Sequence, residues 1–117
     1  MGNRSSIVRG DVVLIRYPFT DLSSDKRRPA IFISAFPCGG DGHFVFIGST
    51  PPVPGIRAIP IPPGRDGLSP MGLRPDSYVY PHKIATLELS LMTTKLGTTP
   101  LPLLQQIASE MALALGV

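Results

Sequence analysis

The hydrophobic positions of this chain fall into short runs broken by proline and glycine, until the C-terminal segment, where their spacing changes. In Asp11–Tyr17, Val12, Leu14 and Arg16 fall on one side and Val13, Ile15 and Tyr17 on the other. Both sides are largely apolar, which predicts a strand covered on both faces, central in a barrel or at a subunit contact. Ala30–Ser34 is the second predicted strand, with Pro29 suited to its first position, where a missing N–H costs little. The turn Gly39-Gly40-Asp41-Gly42 leads to a third, His43–Gly48, with Phe44 and Phe46 on one face. Pro51, Pro52 and Pro54 stiffen the next connection. A short edge strand is expected at Arg57–Ile61, then an irregular stretch, then strands at Ser77–Tyr80, Ile84–Leu87 and Leu91–Leu96. Beyond Thr99 the period becomes helical: Leu101, Leu104, Ile107, Ala108, Met111 and Leu115 recur on one face. Thr99 is the expected N-cap, Pro100 the first helical residue and Gly116 the C-terminal cap. The pattern predicts a mainly β fold with α: one domain over 1–117, a small barrel closed by a C-terminal amphipathic helix.

Composition agrees with that outline. The 117 residues include 14 Pro and 12 Gly, which means many turns and short strands, and the 43% hydrophobic content supports a core and argues against disorder. No apolar run approaches the roughly 20 residues that span a bilayer, so no membrane association is expected. Met1–Ser6 lacks the apolar core of a secretory signal. It matches the loose Met-Gly-x-x-x-Ser pattern for myristoylation, which is common by chance. Cys38 is the single cysteine, so no disulfide forms within the chain and a cytoplasmic setting is expected. A net charge of +3 and a pI near 9.4 permit a polyanionic partner without demonstrating one.

Candidate chemistry concentrates in Arg9–Ser34. Its two apolar runs flank a polar loop ending in Asp25, Lys26, Arg27 and Arg28. Arg28 stands where the loop enters a strand, a place that keeps a charged group both exposed and held still. Taken alone, it reads equally well as a solvated charge paired with Asp21 or Asp25. The glycines at 39–42 match no phosphate-loop pattern and precede a strand. His43, His82 and Cys38 are too dispersed for a zinc site, and no Ser-His-Asp arrangement can be argued; no metal and no cofactor are expected.

Three blocks in the first stretch, Gly10-Asp11-Val12-Val13-Leu14, Pro18-Phe19-Thr20-Asp21 and Lys26-Arg27-Arg28-Pro29-Ala30, resemble the N-terminal signature of the MazF/PemK-like toxins. The similarity resumes at Asp76-Ser77-Tyr78-Val79, at Lys83-Ile84-Ala85-Thr86-Leu87 and at Lys95-Leu96-Gly97, covering nearly the whole chain in order. The resemblance implies an SH3-like β-barrel with a C-terminal helix, usually a homodimer. It implies a metal-independent endoribonuclease toxin of a type II toxin–antitoxin pair that cuts single-stranded RNA, typically messenger RNA, and is blocked by a cognate antitoxin.

Such cleavage uses the ribose 2′-hydroxyl as internal nucleophile and leaves a 2′,3′-cyclic phosphate and a 5′-hydroxyl. Arg28 is the expected catalytic residue. Its planar fork matches phosphate oxygens, and a guanidinium that stays charged suits electrostatic stabilisation of the phosphorane better than proton transfer. The family's second position is a threonine at the end of the third strand, where this chain reads Ile47-Gly48-Ser49-Thr50. Without a gap, Gly48 takes the threonine's place and Ser49 matches a following serine; with one insertion, Thr50 takes the role. Either hydroxyl can donate to phosphate, and both are also ordinary turn residues. Arg16, Lys26, Arg27, Arg57, Arg65, Arg74 and Lys83, with Phe19 and Thr20, are the expected RNA contacts, and Tyr17, Phe36 and Tyr80 are further aromatics for stacking. The Pro18–Lys26 loop fits a flap over the RNA. His82, where the family more often has an acidic residue, is a candidate acid or base. Two other readings stay open: an inactive relative that binds RNA or antitoxin, and a CcdB-like toxin that binds a protein target.

Overall fold

The computed structural model describes residues 7–16, 27–35, 39–55, 57–62 and 70–117. Lys26, Phe19, Thr20 and the rest of the expected flap, together with Tyr17, Phe36, Cys38 and Arg65, lie outside the described residues.

Six strands form one antiparallel sheet: β1 (Asp11–Arg16), β2 (Arg27–Ala35), β3 (Asp41–Gly48), β4 (Ile59–Pro60), β5 (Tyr78–Glu88) and β6 (Met92–Thr98), in the order β4-β5-β3-β2-β1-β6. A 3-10 turn, Leu89–Leu91, joins β5 to β6, and helix α1 (Leu101–Leu115) ends the chain. The architecture is mainly β with one C-terminal helix, as expected. Among the described residues no ladder joins the outer strands β4 and β6, so the hydrogen-bonded sheet is not closed into a ring.

The two-faced apolar pattern of β1 has its cause in two cores, one on each face of the sheet. Val12, Ile31, Val45, Ile47 and Val79 face α1, which presents Leu104, Ile107 and Met111 to them. Each such side chain contributes about 1.5–3 kcal/mol on burial. Val13, Ile15, Ala30, Phe32, Phe44, Phe46 and Leu87 fill the other face, covered by Ile7 and by Leu89, Leu91 and Met92 from the β5–β6 corner. Phe44 and Phe46 share a face as their spacing predicts, and Phe32 meets Phe44 edge-on with ring centroids 5.7 Å apart. No helix among the described residues is long and apolar enough to cross a membrane.

Several local expectations are corrected. The second strand begins at Arg27, not Ala30, because pairing with β1 continues through Leu14↔Pro29, Ile15↔Arg28 and Arg16↔Arg27. Pro29 is thus third in its strand, and Arg28 lies within the sheet instead of at the loop's end. The segments Ser77–Tyr80 and Ile84–Leu87, expected as two strands, fall in a single strand, β5, which begins at Tyr78 and carries a bulge. The N-cap is Pro100 with Pro102 in the first turn, while Thr99 is buried just outside. Gly116 does cap the helix, in the left-handed region at φ 78°.

The start of β1 is held by a local knot. Gly10, at φ 99°, donates to the Phe32 carbonyl at 2.8 Å and accepts from the Thr99 amide at 2.9 Å, tying β1 to β2 and to the helix entry. The Asp11 carboxylate is 1% exposed; Oδ2 accepts the Val8 amide at 3.1 Å. Its Oδ1 makes no hydrogen bond of good geometry but lies 3.3 Å from the Lys95 ammonium, so that partner is electrostatic. Beside this knot, the outer side of β6 meets residues 70–72: Thr98 donates to the Pro70 carbonyl at 3.2 Å, and the backbones at Gly72 and Gly97 leave no room for side chains.

Candidate nucleic-acid interface

The sheet opens where two ladders fail at the same level. Pairing of β2 with β3 runs as far as Ala30↔Phe46. The next residue of β2 toward its N-terminus is Pro29, which has no N–H to offer the ladder. On the other side of β3, pairing with β5 jumps from Val45↔Ile84 to Ile47↔Val79, so Phe46 alone faces Tyr80–Lys83. Pro81, fully buried, sits within that bulge and likewise withholds a donor. The bulge bends β5 away and turns Tyr80 and Lys83 toward the gap.

The resulting cleft has a volume of about 750 Å³. Arg27, Arg28 and Pro29 line one wall, Gly48, Ser49 and Thr50 the end of β3, and Ser77, Tyr80, Lys83 and Ile84 the other wall. Arg28 is half-buried and Arg27 exposed, and Arg16 stands opposite Arg27 in register, so positive charge accumulates at this end of the sheet. Lys83 adds a further cation, its Nζ 4.9 Å above the centre of the Tyr80 ring. Three cationic side chains thus share one open groove with the hydroxyls of Ser49, Thr50, Ser77 and Tyr80, an arrangement that can hold a phosphodiester and offer it several hydrogen-bond donors.

Tyr80 anchors the turn at the end of β3. Its hydroxyl donates to the Thr50 carbonyl at 2.7 Å and accepts from the Thr50 amide at 2.8 Å. Of the residues singled out from the sequence, Arg27, Arg28, Ser49, Thr50 and Lys83 line the cleft. Arg57 does not: its Nη1 donates to both carboxylate oxygens of Glu110, at 2.8 and 2.7 Å. With Pro81 and Leu113 these two residues line a separate hollow of about 380 Å³, which also holds His82. Arg74 is exposed and lines neither space. His43 lies 3.0 Å from the Thr86 hydroxyl, also outside the cleft. Ser77, and the anchoring role of Tyr80, were missed from the sequence. Ser77 lay inside a recognisable block, whereas the Tyr80 contact joins residues 30 apart in a way no local pattern signals.

No protein-family model matches the chain, and a search among curated proteins finds no match. Solved structures do match. An endoribonuclease in complex with its cognate antitoxin, from a mycobacterial species, superposes with a TM-score of 0.68 at 21% identity, covering 96% of this chain and 97% of the other. The chain has a MazF-like fold. A second mycobacterial endoribonuclease gives a TM-score of 0.65 at 23% identity over 96% of this chain and 93% of that one. A chain of the MazE–MazF complex of Deinococcus radiodurans gives 0.65 at 18% identity over 92% and 94%. The MazF-like architecture therefore extends over essentially the whole chain.

Proposed function

We propose that this chain is an endoribonuclease toxin of a type II toxin–antitoxin pair, cutting single-stranded RNA without a metal ion. The observation that carries the reading is the convergence of Arg27, Arg28 and Lys83 with the Ser49 and Thr50 hydroxyls in one open cleft. The MazF-like fold supports it, since the matched structures are named as endoribonucleases, one of them with its antitoxin. In this reading the ribose 2′-oxygen attacks the adjacent phosphorus, the 5′-oxygen departs, and a 2′,3′-cyclic phosphate remains. Arg28 stabilises the extra negative charge of the phosphorane, and Arg27 and Lys83 hold the flanking backbone. Ser49 and Thr50 donate to the phosphate oxygens. The protein acts in the cytoplasm as a homodimer, and its antitoxin covers the cleft.

The test is incubation of the purified protein with mixed-sequence single-stranded RNA in EDTA, with Arg28→Ala in parallel. Cleavage with cyclic-phosphate ends, reduced about 100- to 1,000-fold by the substitution, is the expected result. Equal cleavage by both proteins overturns the role of Arg28. A second reading, a binding module without nuclease activity, is favoured by Gly48, which brings no hydroxyl to the end of β3. RNA binding that depends on Arg28, with no cleavage, would establish it.

A further inference from the structure

Gly48 ends β3 with ordinary extended backbone; it is not among the glycines at positive φ, so nothing in its conformation requires a glycine. What requires it is Tyr80. A Cβ at position 48 would lie 2.8 Å from a ring carbon of Tyr80 and 3.1 Å from its hydroxyl oxygen. That ring cannot easily swing aside. Tyr80 is 7% exposed, and its hydroxyl is held by both the amide and the carbonyl of Thr50. The ring therefore occupies the space that a side chain at position 48 would take, and it spends its polar group on the turn that carries Ser49 and Thr50.

We infer that Gly48 and Tyr80 form a coupled pair in which Tyr80 is a positioning residue, fixing the Ser49–Thr50 turn within the cleft. The inference rests on the ribonuclease reading for its effect on rate, but its structural half stands apart from it. Two hydrogen bonds to one residue's backbone remove most of the freedom of a turn that is otherwise exposed and flanked by Gly48 and Pro51. The same ring seats Lys83, so one side chain orients both a cation and the turn that carries the Ser49 and Thr50 hydroxyls. An ordering of that kind acts on the reacting geometry more than on ground-state binding.

The experiment has three arms. Tyr80→Phe keeps the ring and removes the hydroxyl. It should lower kcat on single-stranded RNA about tenfold with KM within about twofold. It should also accelerate hydrogen exchange at the Thr50 amide, measured by NMR, by at least about tenfold. Gly48→Ala should lower Tm by several degrees in the wild-type background and much less in a Tyr80→Leu background, where the obstructing ring edge is gone. Unchanged Thr50 exchange in Tyr80→Phe, or an equal loss of Tm in both backgrounds, overturns the coupling. Faster exchange with unchanged kcat overturns the positioning role. A wild type that cuts no RNA ends the ribonuclease reading and the kinetic role with it, while the exchange and Tm arms still decide whether Tyr80 pins the turn.

Discussion

Asp11 belongs to the sequence block that marks this fold, yet it lies outside the cleft, and its worth can be worked out from its contacts. The Asp11→Ala substitution removes a carboxylate that is 1% exposed. The bond from the Val8 amide, at 3.1 Å, is charge-assisted, and such bonds contribute about 1.5–3 kcal/mol. The Lys95 ion pair adds less than about 1 kcal/mol, because the Lys95 side chain is 56% exposed and its charge is well solvated. Against these stands the cost of burying a carboxylate, which the substitution relieves. A net loss of about 2–3 kcal/mol is expected for Asp11→Ala. Asp11→Asn keeps the shape and one acceptor and should lose about half as much. Lys95→Ala should lose less than about 1 kcal/mol. Urea unfolding with a common slope measures all three. If Asp11→Ala stays within about 0.5 kcal/mol of wild type, or if Lys95→Ala costs as much, the account of this knot is wrong. Cleavage by folded Asp11→Asn should be unaffected, because the residue reaches no part of the cleft.

Two further outcomes follow from the packing. Gly72→Ala should destabilise the fold by about 2–5 kcal/mol, since Gly72 is at φ 72° and an added methyl would run into the Leu96 carbonyl; a thermal melt within two or three degrees of wild type would contradict this. Arg57→Ala should leave RNA affinity and cleavage within about twofold, because Arg57 is tied to Glu110 away from the cleft; a salt-titration slope reduced by about one phosphate contact would instead put Arg57 on the RNA.

Much of this architecture is legible in the sequence because period alone carries it. The two-sided apolar pattern of β1 and the helical recurrence from Leu101 to Leu115 report burial directly. The same rules misplace β2, since Arg27 and Arg28 look like loop charges until their pairing with Arg16 and Ile15 is seen. They also split β5, because Pro81-His82-Lys83 reads as a break while the ladder resumes beyond it in shifted register. Both misreadings fall at the cleft, where the rules of regular pairing are broken to make room. The cleft residues Arg28 and Lys83 could be found from local blocks. Tyr80 could not be assigned its place, because its meaning lies in the missing side chain of Gly48 across the gap.

The contact between residues 70–72 and β6 has a consequence for the protein in solution. An open sheet has two rims of unpaired peptide groups, and each is a template on which another chain can polymerise. Here the two-residue strand β4 pairs with only the Tyr78–Val79 end of one rim, and it ends in Pro60, which has no donor to offer. The other is capped at Thr98 by the chain's own Pro70 carbonyl, pressed close by two glycines. Loosening Gly72 or Gly97 would do more than lower stability. It would bare the rim of β6, and the expected fate of such a variant is fibrous aggregation instead of simple unfolding.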